Sequence, residues 1–289
     1  MKYISLNLDR TKDLIMSLTN DGGDPTPNTS ELLVSLPIEY QQELYFSQSA
    51  AGAVSVDWGD GSEPDVPTDL QVILSHEYTQ LGDYTIKITC ADGETWTPGF
   101  TSGDNNYSIL GLYSTTLINN TLRKAVLKSG AALGNYSFAS CSALSEVVLP
   151  QNITYIPNFA FALCYGLTSI NISNGVTGIG QNAFRQCLGL EEIILPDVTT
   201  ISNAAFSASG LKRVVLGSKL IAMAAQVFSN CEQLEQVVLH SVSPPTLGTN
   251  VFANLPDDCI IYVPSESVEA YKTANRWSGY ATHIQAIPT

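Results

Sequence analysis

The chain has 289 residues, 44% of them hydrophobic and 14% charged, with a formal net charge of −14. That length suits two domains, and no stretch approaches the roughly 18–20 apolar residues of a membrane span. The acidity argues against nucleic acid and anionic lipid as partners, since both demand clustered bases. It is also uneven, with 17 acidic and 4 basic residues up to Asp104 against 10 and 9 beyond it.

At the N-terminus, Tyr3–Leu8 reads as a short edge strand. Polar Ser5 and Asn7 interrupt it and Asp9, Arg10, Lys12 and Asp13 follow at once, so it does not read as a secretory signal. Residues 19–30 (TNDGGDPTPNTS) read as a linker, rich in glycine, proline and small polar residues. Short strands follow at 32–36, 43–47, 54–58, 72–78 and 84–90. In the last, Tyr84, Ile86, Ile88 and Cys90 face inward while Thr85, Lys87 and Thr89 face water. Such strands between turn residues predict a small β-sandwich over 31–104. Gly59-Asp60-Gly61 is one turn, because glycine accepts positive φ and aspartate bonds its own backbone.

The segment VDWGDGSE, followed by HEYTQLGDYTIKIT, resembles the PKD family of immunoglobulin-like domains. Trp58, Gly59, Asp60, Gly61, His76, Tyr78, Gly82, Tyr84 and Thr85 match it. The resemblance implies a spacer or interaction module of extracellular proteins. Asp57 and Asp60 read as turn formers in preference to calcium ligands, which come in larger oxygen sets.

Tyr107–Tyr113 reads as the strand of an irregular first coil, with Leu117 and Ile118 in its second half. From Leu122 the sequence repeats. Phe138, Phe161, Phe184, Phe206, Phe228 and Phe252 recur every 22 to 24 residues. Leu144, Leu167, Leu190, Leu211 and Leu234 recur with them, each followed by a short apolar run: EVVLP, SINIS, EIILP, RVVLG, QVVLH. A fixed period of this length predicts a solenoid, because one unit cannot bury its own apolar side and stacked units can. Cys141, Cys164, Cys187 and Cys231 each lie three residues after a repeat phenylalanine, with Ser209 in the fourth repeat. Register-locked cysteines read as small buried core residues, not as disulfides.

The pattern L-x-x-I-x-(I/L)-P followed by V-T-x-I-G-x-x-A-F-x-x-C resembles the BspA-like leucine-rich repeat family, and GVTGIGQNAFRQCLGLEEIILP, residues 175–196, carries it almost whole. The resemblance covers about 120–252. It implies a leucine-rich repeat solenoid, a bacterial surface or secreted location, and adhesion or recognition, with host matrix proteins among the partners. It carries no catalytic residue.

After Phe252 the register stops. Cys259–Val263 reads as a strand and SVEAYKTANRW as a helix with Val268, Tyr271 and Trp277 inward, together shielding the last phenylalanine. The expected organisation is an N-terminal strand and linker (1–30), a PKD-like sandwich (31–104), a solenoid (105–252) and a strand–helix cap (253–289). His76, His240 and His283 have no metal-ligand spacing to one another or to paired cysteines, so neither a metal nor a cofactor is expected. No nucleophile or phosphate-binding motif is present, and the chain reads as non-enzymatic.

Alternation along the repeat strands puts Glu146 and Val148, Ser169 and Asn171, Glu192 and Ile194, Arg213 and Val215, and Gln236 and Val238 on the outer face. One column, Val148–Asn171–Ile194–Val215–Val238, is mostly aliphatic and suits a protein partner. Three functions remain open. They are a surface recognition or adhesion protein with the sandwich as spacer, a self-associating component of a particle or envelope such as a phage, and a carbohydrate-binding accessory module. The last is disfavoured because the outward positions offer no Trp or Tyr to a sugar ring.

Overall fold

The computed structural model describes residues 28–36, 41–80, 82–102, 105–109, 111–112 and 121–288. The strand expected at Tyr3–Leu8, most of the linker, and Leu117 and Ile118 lie outside them.

The sandwich is built from β1 (Thr29–Leu36), β2 (Gln41–Gln48), β3 (Val54–Asp57), β4 (Gln71–Glu77), β5 (Gly82–Cys90) and β6 (Trp96–Pro98). One sheet runs β3-β5-β1 and the other β4-β2-β6. Val34, Leu44, Phe46, Val56, Trp58, Val72, Ile86, Ile88 and Trp96 fill the space between them. The Trp58–Gly61 turn is tied down on several sides. Gly59 has φ +78, and a Cβ there would lie 2.4 Å from the Thr85 carbonyl oxygen, so only glycine fits. The Trp58 indole donates to Asp65 (2.7 Å), and the Tyr78 hydroxyl donates to the Trp58 carbonyl (2.9 Å). His76 stacks on Trp58 at 4.7 Å and meets Asp60 at 2.7 Å. Desolvation acts to raise the Asp60 pKa, but hydrogen bonds from Ser62 and the contact with His76 outweigh it and hold the carboxyl at about 2. These residues therefore have structural roles.

Next come β7 (Phe100–Ser102), β8 (Asn105–Ser108) and β9 (Gly111–Leu112), a small antiparallel sheet. It straddles the boundary expected at residue 104. The run expected as one strand over 107–113 is instead the end of β8, a turn at Ile109, and β9.

In the solenoid each inner coil contributes two strands, and the coils at either end contribute one. In chain order they are β10 (Leu122–Val126), β11 (Glu146–Val148), β12 (Tyr155–Ile156), β13 (Ser169–Ile170), β14 (Gly178–Ile179), β15 (Glu192–Leu195), β16 (Thr200–Ile201), β17 (Arg213–Leu216), β18 (Ala222–Met223), β19 (Gln236–Leu239), β20 (Thr246–Leu247) and β21 (Ile260–Val263). β10, β11 and β13 in one sheet and β15, β17, β19 and β21 in a second make up the parallel long-strand face, and β12-β14-β16-β18-β20 the other face. Between the faces runs the phenylalanine ladder. From Phe138 to Phe252 successive rings stack at 5.5, 5.3, 5.2, 5.4 and 5.6 Å.

The turn around each phenylalanine has a backbone that the composition does not announce. The residues two before and two after it have positive φ: Tyr136 and Ser140, Phe159 and Leu163, Asn182 and Gln186, Ala204 and Ala208, Gln226 and Asn230, Asn250 and Asn254. Each such residue costs about 1–2 kcal/mol. The alternation turns every second N–H toward the next coil. Tyr136, Phe138 and Ser140 thus donate to the carbonyls of Asn158, Ala160 and Ala162 at 3.1, 2.8 and 2.8 Å. Phe161, Phe184, Phe206 and Phe228 repeat the central bond. Hydrogen bonds and ring stacking between coils hold the strained turns in place.

The cysteines do the same from their side chains. The thiols of Cys164, Cys187 and Cys231 donate to the carbonyls of Phe138, Phe161 and Phe206 one coil back, at 3.1, 3.2 and 3.2 Å. All six cysteines are buried free thiols. Burial raises the pKa of Cys164 and Cys187 well above the ordinary thiol value and pushes Cys259 up to about 12.

Both ends of the stack are closed. At the far end stand α1 (Val268–Thr273), a short 3-10 turn at Trp277–Tyr280, and β22 (Ile284–Ala286) beside β21. Tyr271 and Trp277 are fully buried, and Val268 packs on the core, as expected. At the near end the sandwich itself is the cap. β1 pairs with β5 on one edge and with β10, the first solenoid strand, on the other. Ile109 receives the Tyr45 N–H (2.9 Å) and gives its own N–H to Ser137 in the first turn (2.9 Å). One hydrophobic core therefore runs from Leu32 to Ile284. The sandwich is not a tethered spacer but the built-in end of the solenoid.

Candidate functional site

Sheet register fixes the outward rows of the long-strand face. On one sheet Glu192, Arg213, Gln236 and Ile260 are neighbours, and so are Ile194, Val215, Val238 and Tyr262. On the other sheet Lys124, Glu146 and Ser169 are neighbours, with Val126 beside Val148.

The single column expected from sequence is thus split. β13 ends the sheet that begins in the sandwich, and β15 starts a new one. Asn171 explains the short β13. Its Oδ1 accepts the Leu149 N–H (2.7 Å) and its Nδ2 donates to the Leu149 carbonyl (3.3 Å). Its amide does the work of a strand backbone and turns back toward the preceding coil, so Asn171 is not a freely displayed outer residue.

Burial makes a second correction. Val238 lies on the outer face and outside the core cluster, yet it is only 2% exposed. Val215 and Tyr262 flank it in register, and on strands about 4.8 Å apart large neighbours cover the middle member. Val148, Ile194 and Val215 are half-buried, and Ser169 and Glu192 are exposed. Tyr262 also corrects the expectation that no outward tyrosine exists. Sequence reasoning misses it because its strand lies beyond the last repeat phenylalanine and reads as part of the cap, although CIIYV alternates like the repeat strands before it.

The charges along the face pair with one another. Lys124 meets Glu146 at 2.9 Å, and Arg213 forms an ion pair with Glu192 one strand away. Lys212 and Glu191 repeat this at 2.6 Å just outside the sheet. His240 lies just past the end of β19. Burial lowers its pKa first, and the Arg213 charge lowers it further. The face thus presents an apolar column beside neutralised charges, a chemistry of contact. Among the described residues no group of three or more His, Cys, Asp or Glu side chains is placed to hold a metal ion.

Residues 131–257 match the BspA type leucine rich repeat region, in six copies. This part of the chain is therefore a BspA type leucine rich repeat region, and leucine-rich repeat proteins generally mediate protein–protein interaction or adhesion. Among solved structures, the pneumococcal vaccine antigen PcpA is similar at 18% identity and a TM-score of 0.45, over 65% of this chain and 46% of that one. The chain thus spans less than half the length of that protein. A leucine rich repeat protein of T. pallidum, TpLRR, is similar at 22% identity and a TM-score of 0.35, over 57% of this chain and 84% of that one. A leucine-rich repeat protein from Bacteroides ovatus is similar at 16% identity and a TM-score of 0.24, over 66% of this chain and 73% of that one. No curated protein matches the chain. Among the described residues no helix is long and apolar enough to cross a membrane.

Proposed function

We propose that this is a non-enzymatic surface or secreted recognition protein that binds a protein partner across the long-strand face. The observation that carries the reading is the in-register column Ile194–Val215–Val238–Tyr262, apolar along four adjacent strands. Strands fixed at both ends display it on a rigid surface, which lowers the entropy cost of binding. The Glu192–Arg213 pair at its margin orients a partner without leaving an uncompensated charge. Glu146, Val148, Ser169 and Gln236 extend the contact beyond the column. The sandwich, PKD-like in its Trp58–Gly61 turn, serves this reading as a rigid cap.

The test is a binding screen against immobilised extracellular matrix proteins and glycans, with wild type beside Val215→Asp and circular dichroism on both. The variant folds, because the side chain points outward, and loses at least about tenfold in affinity for any protein the wild type captures. Equal binding by a folded variant would sink this reading, as would silence across the screen with a mass that grows with concentration.

A further inference from the structure

The hydrogen bonds between coils stop at the far end of the solenoid, and they leave donors behind. The residue two before each ladder phenylalanine gives its N–H to a carbonyl of the coil that follows. Asn182 gives to Asn203 at 3.0 Å, Ala204 to Ala225 at 2.9 Å and Gln226 to Thr249 at 2.9 Å. Asn250 holds that position in the last coil, with φ +56, and its N–H has no acceptor among the described residues. Thr249, just before it, is in the same state for another reason. Gln181 and Ala225 hold the equivalent position one and three coils earlier. They give their N–H groups to the side-chain oxygens of Asn158 and Asn203, one coil back, at 2.8 and 3.0 Å. Thr249 looks back on Ala225, which has no amide to offer.

The cap brings further donors to the same place. Residues 247–250 and the cap residues Arg276, Gly279 and Tyr280 line one groove of about 390 Å³. Arg276 has φ +65, a backbone that residues other than glycine rarely adopt. Its Nη1 donates to the Leu247 carbonyl at 2.8 Å. That engages one of five guanidinium donors, and among the described residues no carboxylate pairs with Arg276. The Tyr280 hydroxyl accepts the Phe252 N–H at 3.4 Å, which leaves its own proton to give. The segments that build the groove, 243–256 and 274–289, contain no acidic residue, and Arg276 is their one formal charge.

We propose that this groove binds a carboxylate carried on a compact body, the size of one amino-acid residue or one sugar acid. The carboxylate takes the remaining donors of the Arg276 fork and accepts from the Tyr280 hydroxyl and the N–H groups of Thr249 and Asn250. A single positive charge with a planar fork suits a monoanion better than a dianionic sulfate. The volume falls at the lower end of the range of about 300–1,000 Å³ typical of small-molecule sites, which sets the size of the body. Gly279 leaves it room, since a Cβ added there meets nothing within 4 Å. None of the lining residues belongs to the long-strand face, so the site stands apart from the partner surface proposed above.

The probes are N-acetylglycine and glucuronate, each titrated into the full chain labelled with nitrogen-15, with N-acetylglycinamide and glucose as their uncharged counterparts. At least one of the two acids moves the Thr249 and Asn250 amide resonances to saturation, and its uncharged counterpart binds at least about tenfold more weakly. The acid that binds tighter shows which body the groove takes. Arg276→Gly keeps the left-handed backbone without strain and removes the guanidinium, and it lowers affinity at least about tenfold. If that variant loosens the cap, Tyr280→Phe keeps the ring, loses one donor and lowers affinity about fivefold. Val215→Asp binds the acid as wild type does, whatever it does to a protein partner. Failure of both acids to move the two amides, equal binding of an acid and its uncharged counterpart, or full affinity in a folded Arg276→Gly overturns the proposal. Sulfate that binds tighter than either acid overturns the assignment to a carboxylate.

Discussion

The hydroxyl of Tyr280 accepts the backbone N–H of Phe252 at 3.4 Å, and its ring meets the Phe252 ring edge-on at 5.3 Å. Every earlier ladder phenylalanine gives its N–H to a carbonyl of the next coil. Phe252 has no next coil, and a tyrosine side chain stands in for it. Trp277 closes the same end at 6.1 Å from Phe252 and is anchored through its indole to the Pro245 carbonyl at 2.7 Å.

Truncating that closure has a cost that can be divided between ring and hydroxyl. Tyr280→Phe keeps the ring and loses one hydrogen bond, so it costs no more than about 1 kcal/mol. Tyr280→Ala also bares the last ring and costs about 2–3 kcal/mol, since Tyr280 is only partly buried. Urea midpoints at constant m separate the two. Equal losses in both variants would mean that the ring does not seal the stack.

The continuity of sandwich and solenoid makes a prediction about cooperativity. β1 joins β5 to β10, and one core spans both parts. Phe184→Ala, in the middle of the ladder, removes a fully buried ring and costs about 3–5 kcal/mol. In a Trp277→Phe background the remaining tryptophans, Trp58 and Trp96, both report on the sandwich. Their fluorescence transition and the far-UV circular dichroism transition shift together on Phe184→Ala. A sandwich midpoint unmoved by the ladder mutation would show two independent units.

The pH dependence of the sandwich follows from Asp60. Its folded pKa of about 2 lies below the ordinary 3.8, so its contribution is complete above the ordinary value and is lost as pH falls toward 2. Asp60→Asn is less stable than wild type at pH 7, and its urea midpoint falls less steeply between pH 4 and pH 2. Parallel curves for the two proteins across that window would remove Asp60 from the acid limb.

Much of this architecture was legible because a repeat reports the same fact many times. Phe138 through Phe252, the leucines and the cysteines each name a layer of the core by recurring in register. What the repeat could not report was anything that happens once. The β1–β10 pairing joins Glu31 to Val126, and no local pattern encodes a contact that distant. The burial of Val238 depends on Tyr262, a residue on a strand beyond the last phenylalanine. The left-handed turns are hidden for another reason. Asn182, Asn230, Asn250 and Asn254 suit positive φ, but Tyr136, Phe159 and Leu163 occupy the same positions against their own preference. Inter-coil bonding sets that backbone, and local propensity yields to it.

Asn171 was legible in identity and misleading in orientation. Counting alternate residues made it a polar interruption in an aliphatic column, whereas its amide completes the pairing that β13 lacks. Asn171→Ala removes both bonds to Leu149 and costs about 1–2 kcal/mol, a large value for a partly exposed site. Amide exchange at Leu149 quickens with it, because that N–H loses its acceptor. Asn171→Asp retains an acceptor for the Leu149 N–H but sets a carboxylate against the Leu149 carbonyl, so exchange stays slow while stability still falls. Leu149 exchange unchanged in Asn171→Ala would mean that the main chain supplies the acceptor, and the division of the long-strand face into two sheets would then need a cause other than this side chain.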